Sequence, residues 1–507
     1  MSGGTATPLP MAKIAVLVLV FLGDALCMSV VLPFVPFMVQ RFMQFGPGEE
    51  HLVGYYAGAI AAAYITGQLC TAALWGALSD RVGRRPVMLL CLALSVACVL
   101  AFGAAPNLPF ALVVRFAHGL VSGNVVVAKT MLADLTDSTN EAAAFVYVGV
   151  TFGAGAILGP LIGGTLSESA DKYCALPLAW LWVARPYLLP CAVVAAVVLL
   201  DLAFAFFYLE ESIETRSDAR SESRPRAAGG AKGATAGAVR GEVDNVADLL
   251  RDPKSPFFRV CCSFFLFGGC FMSFQEVFPI FARAPLHEGG LSLSSTQVGL
   301  AQATAGMATL FCVVLLYPVL ARHLGVPRTY AAALAACVLV AYAAPPFIAA
   351  YAAMPGHEIP WAALLFANGI VSVATEISFT SLNIMLKNAA PPHLVGAAMG
   401  LGTSLGGFGF AIGPIAGGSL FSYSCHPHSL PPDAATTPRR SSPLVSLPAA
   451  LRAGRLYFVV LEFVAILNIL IILGLPKWPW RDRHQAEYHA AASDEIVELE
   501  LNDTAGP

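Results

Sequence analysis

The sequence predicts an all-α integral membrane protein of twelve transmembrane helices in two six-helix halves, and three observations carry that prediction. The 507 residues are 57% hydrophobic and only 12% charged, with a mean hydropathy of +0.70. Apolar runs recur along the chain, each long enough to cross a bilayer core as a helix. One polar stretch rich in Arg, Ser, Ala and Gly divides those runs into two sets of six.

A soluble domain has too little polar material here to wet its outside. Backbone buried in lipid must satisfy its own hydrogen bonds, which helices do. The short alternating segments of an outer-membrane barrel are not seen. The formal net charge of −3 says little, because what matters is where the charges fall.

Residues 1–12 form an N-terminus with no cleavable signal pattern, so the first apolar run is retained as a span. Spans are predicted at 13–39, 54–79, 86–104, 108–134, 141–167 and 186–208, closing a first bundle over 13–209. Residues 210–256, with "RSDARSESRPRAAGGAKGATAG" at their centre, cannot bury a core and read as a flexible cytoplasmic linker. Six more spans, at 257–282, 295–321, 328–352, 359–387, 393–423 and 455–475, make a second bundle over 257–475. The acidic tail 476–507 reads as disordered.

Orientation follows from Lys and Arg. With both termini cytoplasmic, the inside holds Lys13, Arg81, Arg84, Arg85, the linker bases, Arg322, Arg328, Lys387, Lys477, Arg481 and Arg483, and the outside holds fewer. The sequon at Asn502 would then go unused. Most of the twelve cysteines lie inside apolar runs without metal-ligand spacing, so no metal site is expected. Cys174 and Cys425 fall in two loops on one side and could pair.

Two motifs stand out. "WGALSDRVGRRP" concentrates Gly76, Asp80, Arg81, Gly83, Arg84 and Arg85 in one turn between two spans. Gly83 permits a turn that residues with a Cβ resist, and Pro86 suits the first turn of the next helix. Asp80 can pair with an arginine or a neighbouring helix start, so the turn reads as a charged conformational hinge. The second motif is a faint internal repeat. "TFGAGAILGPLIGGTL" in the fifth predicted span carries Gly159, Pro160, Gly163 and Gly164, and "SLGGFGFAIGPIAGGSL" in the eleventh carries Gly413, Pro414, Gly417 and Gly418 at the same offsets. Both permit close backbone contact and bending.

The hinge motif resembles the loop between spans two and three of the major facilitator superfamily. "RFAHGLVSGNVVVAKTMLAD", which ends at Asp134, is similar to that superfamily's fourth span, and "GAILGPLIGG" looks like the motif of its antiporter branches. "SFQEVFPIFARAPLHEGGLSLSSTQVG" with "LLYPVLARHLG" resembles the zinc-induced facilitator-like transporters of plants and their fungal relatives. The chain departs from the plant members in having no Cys in 1–13 and no His in the linker. The resemblance implies parallel six-span repeats with a site at their interface and drug:proton-antiporter-like chemistry by alternating access.

Ionisable groups at bilayer depth are costly and mark function by default. Asp24, halfway along the first predicted span, is a candidate proton carrier, with Arg115 as its candidate partner and Glu376 as a second acid. His118 sits one turn from Arg115, and Lys129 lies on nearly the same face. Asn368, Ser372, Glu376, Thr380, Asn383 and Lys387 recur every three or four residues, giving one polar helix face that reads as cavity lining. Gln275 and Glu276 offer a further polar pair in the seventh predicted span. Phe274, Phe278, Phe366 and Phe379 near these groups suit amphipathic cargo.

The expected function is secondary transport, with protons exchanged for a small organic solute or metal chelate. A non-coupled facilitator and a transporter-derived sensor remain as alternatives. No nucleophile–base cluster or nucleotide-binding loop points to an enzyme or a cofactor. The expected partners are a small-molecule substrate, protons and the lipid bilayer, not nucleic acid; a monomer is the default. The plasma membrane and a vacuolar or lysosome-like membrane are both open.

Overall fold

The computed structural model describes residues 10–46, 52–136, 141–167, 179–211, 246–286, 290–352, 357–390, 395–425 and 454–475, with Glu49 and Met354. The central linker 212–245, Cys174 and the tail with Asn502 lie outside the described residues. Among the described residues all regular structure is helical. Ten helices are long and apolar enough to cross a membrane, and two bent helix pairs bring the number to twelve.

The first six spans are Met11–Ser29, Val53–Val82, Arg84–Gly103, Leu108–Asp134, Glu141–Leu166 and Leu188–Tyr208. The second six are Pro256–Arg283, Ser295–Leu324, Val326–Ala352, Trp361–Asn388, Val395–Cys425 and Arg455–Leu473. Helix starts follow ordinary capping chemistry. Asn107 accepts from the Phe110 amide at 3.0 Å, and Ser294 forms a reciprocal box with Gln297.

Five spans depart from the continuous helices expected, span nine by a π-helical segment over Cys337–Tyr342. Span one stops at Ser29, passes through turns over 30–34 and resumes as Val35–Met43. Pro33 and Pro36 explain the break, since neither can donate the amide a continuing helix needs. Span four breaks at Ser122 and Gly123, between Leu108–Val121 and Asn124–Asp134. Spans two and eight bend by 45° and 54°, at Ala72–Leu74 and Leu310–Leu315.

In lipid, helices gain nothing by hiding apolar surface from one another, so small residues that admit close packing decide which helices touch. The two glycine-proline motifs show this in matched form. In span five, Gly155, Gly159 and Gly163 lie against span one at Ala25, Ser29 and Val30. Pro160 and Gly164 of the same motif meet Gly299 of span eight. In span eleven, Gly409, Gly413 and Gly417 lie against span seven between Phe265 and Ser273, while Pro414 and Gly418 meet Gly58 and Gly54 of span two. Each motif therefore grips the first span of its own half and seals against the second span of the other. A Cβ at any of these cross-half glycines would overlap the opposite backbone. Both seams lie at the end away from Lys13, Gly83 and Glu211.

The opposite end holds the charged turn. Gly83 adopts φ 111°, a conformation side chains with a Cβ resist. Arg84 is buried and ion-paired with Asp134 of span four; it lies 3.5 Å from Asp80 and donates to the Thr130 carbonyl at 2.7 Å. Glu211, just past span six, accepts from the Arg84 and Arg85 amides at 2.9 and 3.1 Å, capping span three. Arg85 donates to the Phe206 carbonyl at 2.6 Å, and Lys13 pairs with Glu210 at 2.6 Å. Arg81 is exposed, and Gly76 sits in ordinary contact with Val126. Spans one, two, three, four and six are thus tied at this end.

Candidate functional site

The two breaks in the first half create the polar centre. A helix that stops leaves carbonyls without intrahelical donors. At the end of span one these include Cys27 and Met28, and Arg115 of span four donates to both, at 3.3 and 3.5 Å. Its guanidinium stacks over the Tyr64 ring, 4.4 Å from the centroid, and lies 5.6 Å from that of Phe102. Its Nη1 is 3.4 Å from His118 Nδ1; because Arg only donates, Nδ1 is the acceptor. Arg115 and His118 are both buried.

The break in span four does a second job. Unwinding at Ser122 places its hydroxyl 3.2 Å from Asp24 Oδ1 as a donor. Tyr64 Oη lies 2.9 Å from the same hydroxyl, and Gln68 reaches it at 3.4 Å. The freed Leu120 carbonyl accepts from Thr71 at 2.8 Å and from the Trp75 indole at 2.7 Å, which fastens span two to span four. Asp24 is 7% exposed, and among the described residues it forms no ion pair. Arg115 is within electrostatic range of it but gives its hydrogen bonds to span one. Asp24 thus accepts from a hydroxyl chain, while Arg115 and Lys129 are within electrostatic range without forming an ion pair to it, an arrangement that leaves the carboxyl able to accept a proton without breaking a salt bridge.

The second half contributes one charge to this centre. Glu276, half-buried in span seven, interacts electrostatically with Arg115 across the two halves. Gln275 beside it is also half-buried. The polar face of span ten divides. Asn368 is buried and donates to the Ala301 carbonyl of span eight at 3.0 Å, so it packs two helices together. Ser372, Glu376 and Thr380 are half-buried, Asn383 donates to its own helix at Phe379, and Lys387 is exposed. No hydrogen bond or ion pair joins Glu376 to the Asp24 centre among the described residues. Lys129, Lys387, Thr403 and Ser404 are exposed toward the end with the charged turn.

Sequence reasoning passed over Tyr64, Gln68, Ser122 and Asp201. The Ser-Gly pair in span four was a visible weak point for a helix. Asp201 was visible as an acid in the apolar run of span six. For Tyr64 and Gln68 only the packing of span two on span four shows the role.

Broken helices around buried charges, and two glycine-proline seams related by the sixfold offset of spans, are one architecture written twice in the chain. The Major Facilitator Superfamily profile matches residues 17–414. The chain belongs to that superfamily. It is 28% identical over 426 residues to the protein zinc induced facilitator 1 of Arabidopsis thaliana, covering 82% of this chain and 85% of the relative. A superfamily multidrug transporter of Aspergillus fumigatus is 25% identical over 484 residues, covering 82% of this chain and 79% of that one. Among solved structures, an inward-facing, occupied bacterial homologue of the human lysosomal transporter Spinster superposes with a TM-score of 0.65 at 12% identity, over 94% of this chain and 99% of that one. The protein is thus a multi-pass member of the superfamily, a group of transmembrane transporters.

Proposed function

We propose that this superfamily member exchanges protons for a small amphipathic organic solute by alternating access, with both termini cytoplasmic. The observation that carries the reading is Asp24 held by Ser122 at the break in span four, beside Arg115 seated in the break of span one. A carboxyl without an ion-pair partner can load a proton or a cationic solute, and competition between them is the simplest antiport cycle. Glu276 lets the second half sense that exchange through Arg115. The glycine seams close one end while Lys129, Lys387, Thr403 and Ser404 stay exposed at the other, which supports a cytoplasm-open state. The multidrug transporter among the relatives supports organic cargo.

Purified protein in liposomes with a trapped pH-sensitive dye and an imposed pH gradient tests this. A panel of organic cations, organic anions, amino-acid-like chelators and Zn²⁺ complexes is added in turn. Proton movement triggered by one compound and lost in Asp24→Asn is the expected result. Solute uptake without proton movement would replace exchange by facilitated diffusion, and binding without flux would make the protein a sensor.

A further inference from the structure

Asp201 has no place in the site just described, yet almost none of its surface is accessible, 1% in span six. Its Oδ2 finds no hydrogen-bond partner among the described residues. It lies against Gly23, the residue before Asp24, so closely that a Cβ on Gly23 would overlap the carboxyl group. Cys27, one turn along span one, is within electrostatic range of both Asp24 and Asp201. Two acids therefore flank the same short piece of span one.

The surroundings offer Asp201 no countercharge. Among the described side chains, the ionisable ones on the helices packed against span six are Lys13, Asp24 and Cys27 on span one, Arg84, Arg85, Cys91 and Cys98 on span three, and Tyr147 on span five. Lys13, Arg84 and Arg85 are engaged at the end of the bundle by Glu210, Asp134 and the Phe206 carbonyl. Span six itself adds Cys191 and Tyr208. An ionised carboxylate buried without a partner is strongly disfavoured, and two neighbouring acids resist being ionised together.

We propose that Asp201 is a second proton-binding carboxyl, coupled to Asp24 through the Gly23–Cys27 segment of span one, so that the two acids compete for one shared proton instead of titrating independently. This rests on the proton-exchange reading above. Asp201 holds its proton while Asp24 is charged and yields it to water when Asp24 is neutralised, so each proton that leaves one carboxyl favours retention by the other. Gly23 is the contact through which any shift of span one is felt by span six.

Infrared spectroscopy of the purified protein labelled with ¹³C-aspartate reads the carboxylic C=O stretch directly and needs no transported solute. The expected result is a protonated-aspartate absorption with two titrating contributions: one is missing in Asp201→Asn, and the one that remains in Asp24→Asn has its midpoint lowered by about one pH unit, because a neighbouring negative charge is gone. A band missing in Asp201→Asn that ignores pH would make Asp201 a permanently protonated packing group and overturn the proposal. So would the absence of any such band, or a midpoint indifferent to Asp24→Asn. Should Asp201→Asn not fold, a band in Asp24→Asn that persists at a pH where ordinary aspartates are ionised is left to Asp201, since Asp134 is held as a carboxylate by Arg84. Liposomes that move solute without protons would remove the exchange reading and leave this spectrum to be judged by itself.

Discussion

The turns after spans two and eight occupy equivalent places in the two halves and differ in everything but backbone. Gly83 has φ 111° and ψ 148°, and Gly325 has φ 77° and ψ 156°. A proline follows each within three residues. Around Gly83, the acids Asp80, Asp134 and Glu211 bind the arginines and the helix start. Around Gly325 nothing comes within contact of a would-be Cβ, and Arg322, His323 and Arg328 are exposed. The same division runs inward. The first half carries Asp24, Arg115 and both helix breaks, whereas the second uses buried polar groups to hold helices together, as in Asn368 and the Ser263–Tyr330–Asn468 cluster. The fold is symmetric and the charge is not: the half that carries the titratable centre is also the half tied at its end by ion pairs.

That asymmetry can be broken most sharply at the acids. Asp24→Asn is expected to reduce pH-driven exchange in liposomes to the level of empty vesicles. Glu376→Gln is expected to stay within about tenfold of wild type, a loss of no more than ~1.4 kcal/mol. Equal collapse in both would place the chemistry in both halves.

Stability gives the next largest contrast. Arg84→Ala strands the buried Asp134 carboxylate and should cost about 3–5 kcal/mol. Arg328→Ala, at the equivalent exposed turn, should stay within about 0.5 kcal/mol. Thermal unfolding in detergent, followed by tryptophan fluorescence, measures both. Alanine at either turn glycine forces a strained backbone worth about 1–3 kcal/mol. Gly83→Ala should lose more than Gly325→Ala, because its Cβ also meets the Glu211 carboxylate at 2.7 Å. A larger loss at Gly325 would reverse the comparison.

The smallest effect belongs to Glu210. Its hydrogen bond and charge contact with Lys13 hold the carboxyl below the usual glutamate range. Any stabilisation is therefore complete above the ordinary glutamate value and vanishes as pH falls through the lowered one. Glu210 is fully exposed, so wild type and Glu210→Gln should melt within a degree or so of each other at neutral pH and together in acid.

The helices were legible because each obeys a local rule: apolar length for the span, a glycine for the turn, Gly-Pro with Gly-Gly for the seam. Asp24 and Arg115 were legible as charges where charge is costly. Their relation was not. Opposite charge at bilayer depth suggested that they pair, but Arg115 is drawn to the Cys27 and Met28 carbonyls freed where span one stops, a demand that exists only once the helix has ended. Ser122 reaches Asp24 only because span four unwinds against span two. The stripe on span ten misled in part for a similar reason: periodicity fixes a common face, and Asn368 found a carbonyl of span eight to bond.

The cross-half seams carry one more consequence. Gly54, Gly58, Gly164, Gly299 and Gly418 bring main chain against main chain where the two halves close, with few side chains such as Thr296 and Ser422 between them. Glycine has no rotamers to freeze, so shutting this end forfeits little side-chain entropy, unlike a gate of leucines or phenylalanines. The balance between shut and parted seams is then set by dispersion contacts and by water entering the gap. The rate of opening should accordingly respond more to pressure and to bilayer composition than to the size of any one side chain nearby.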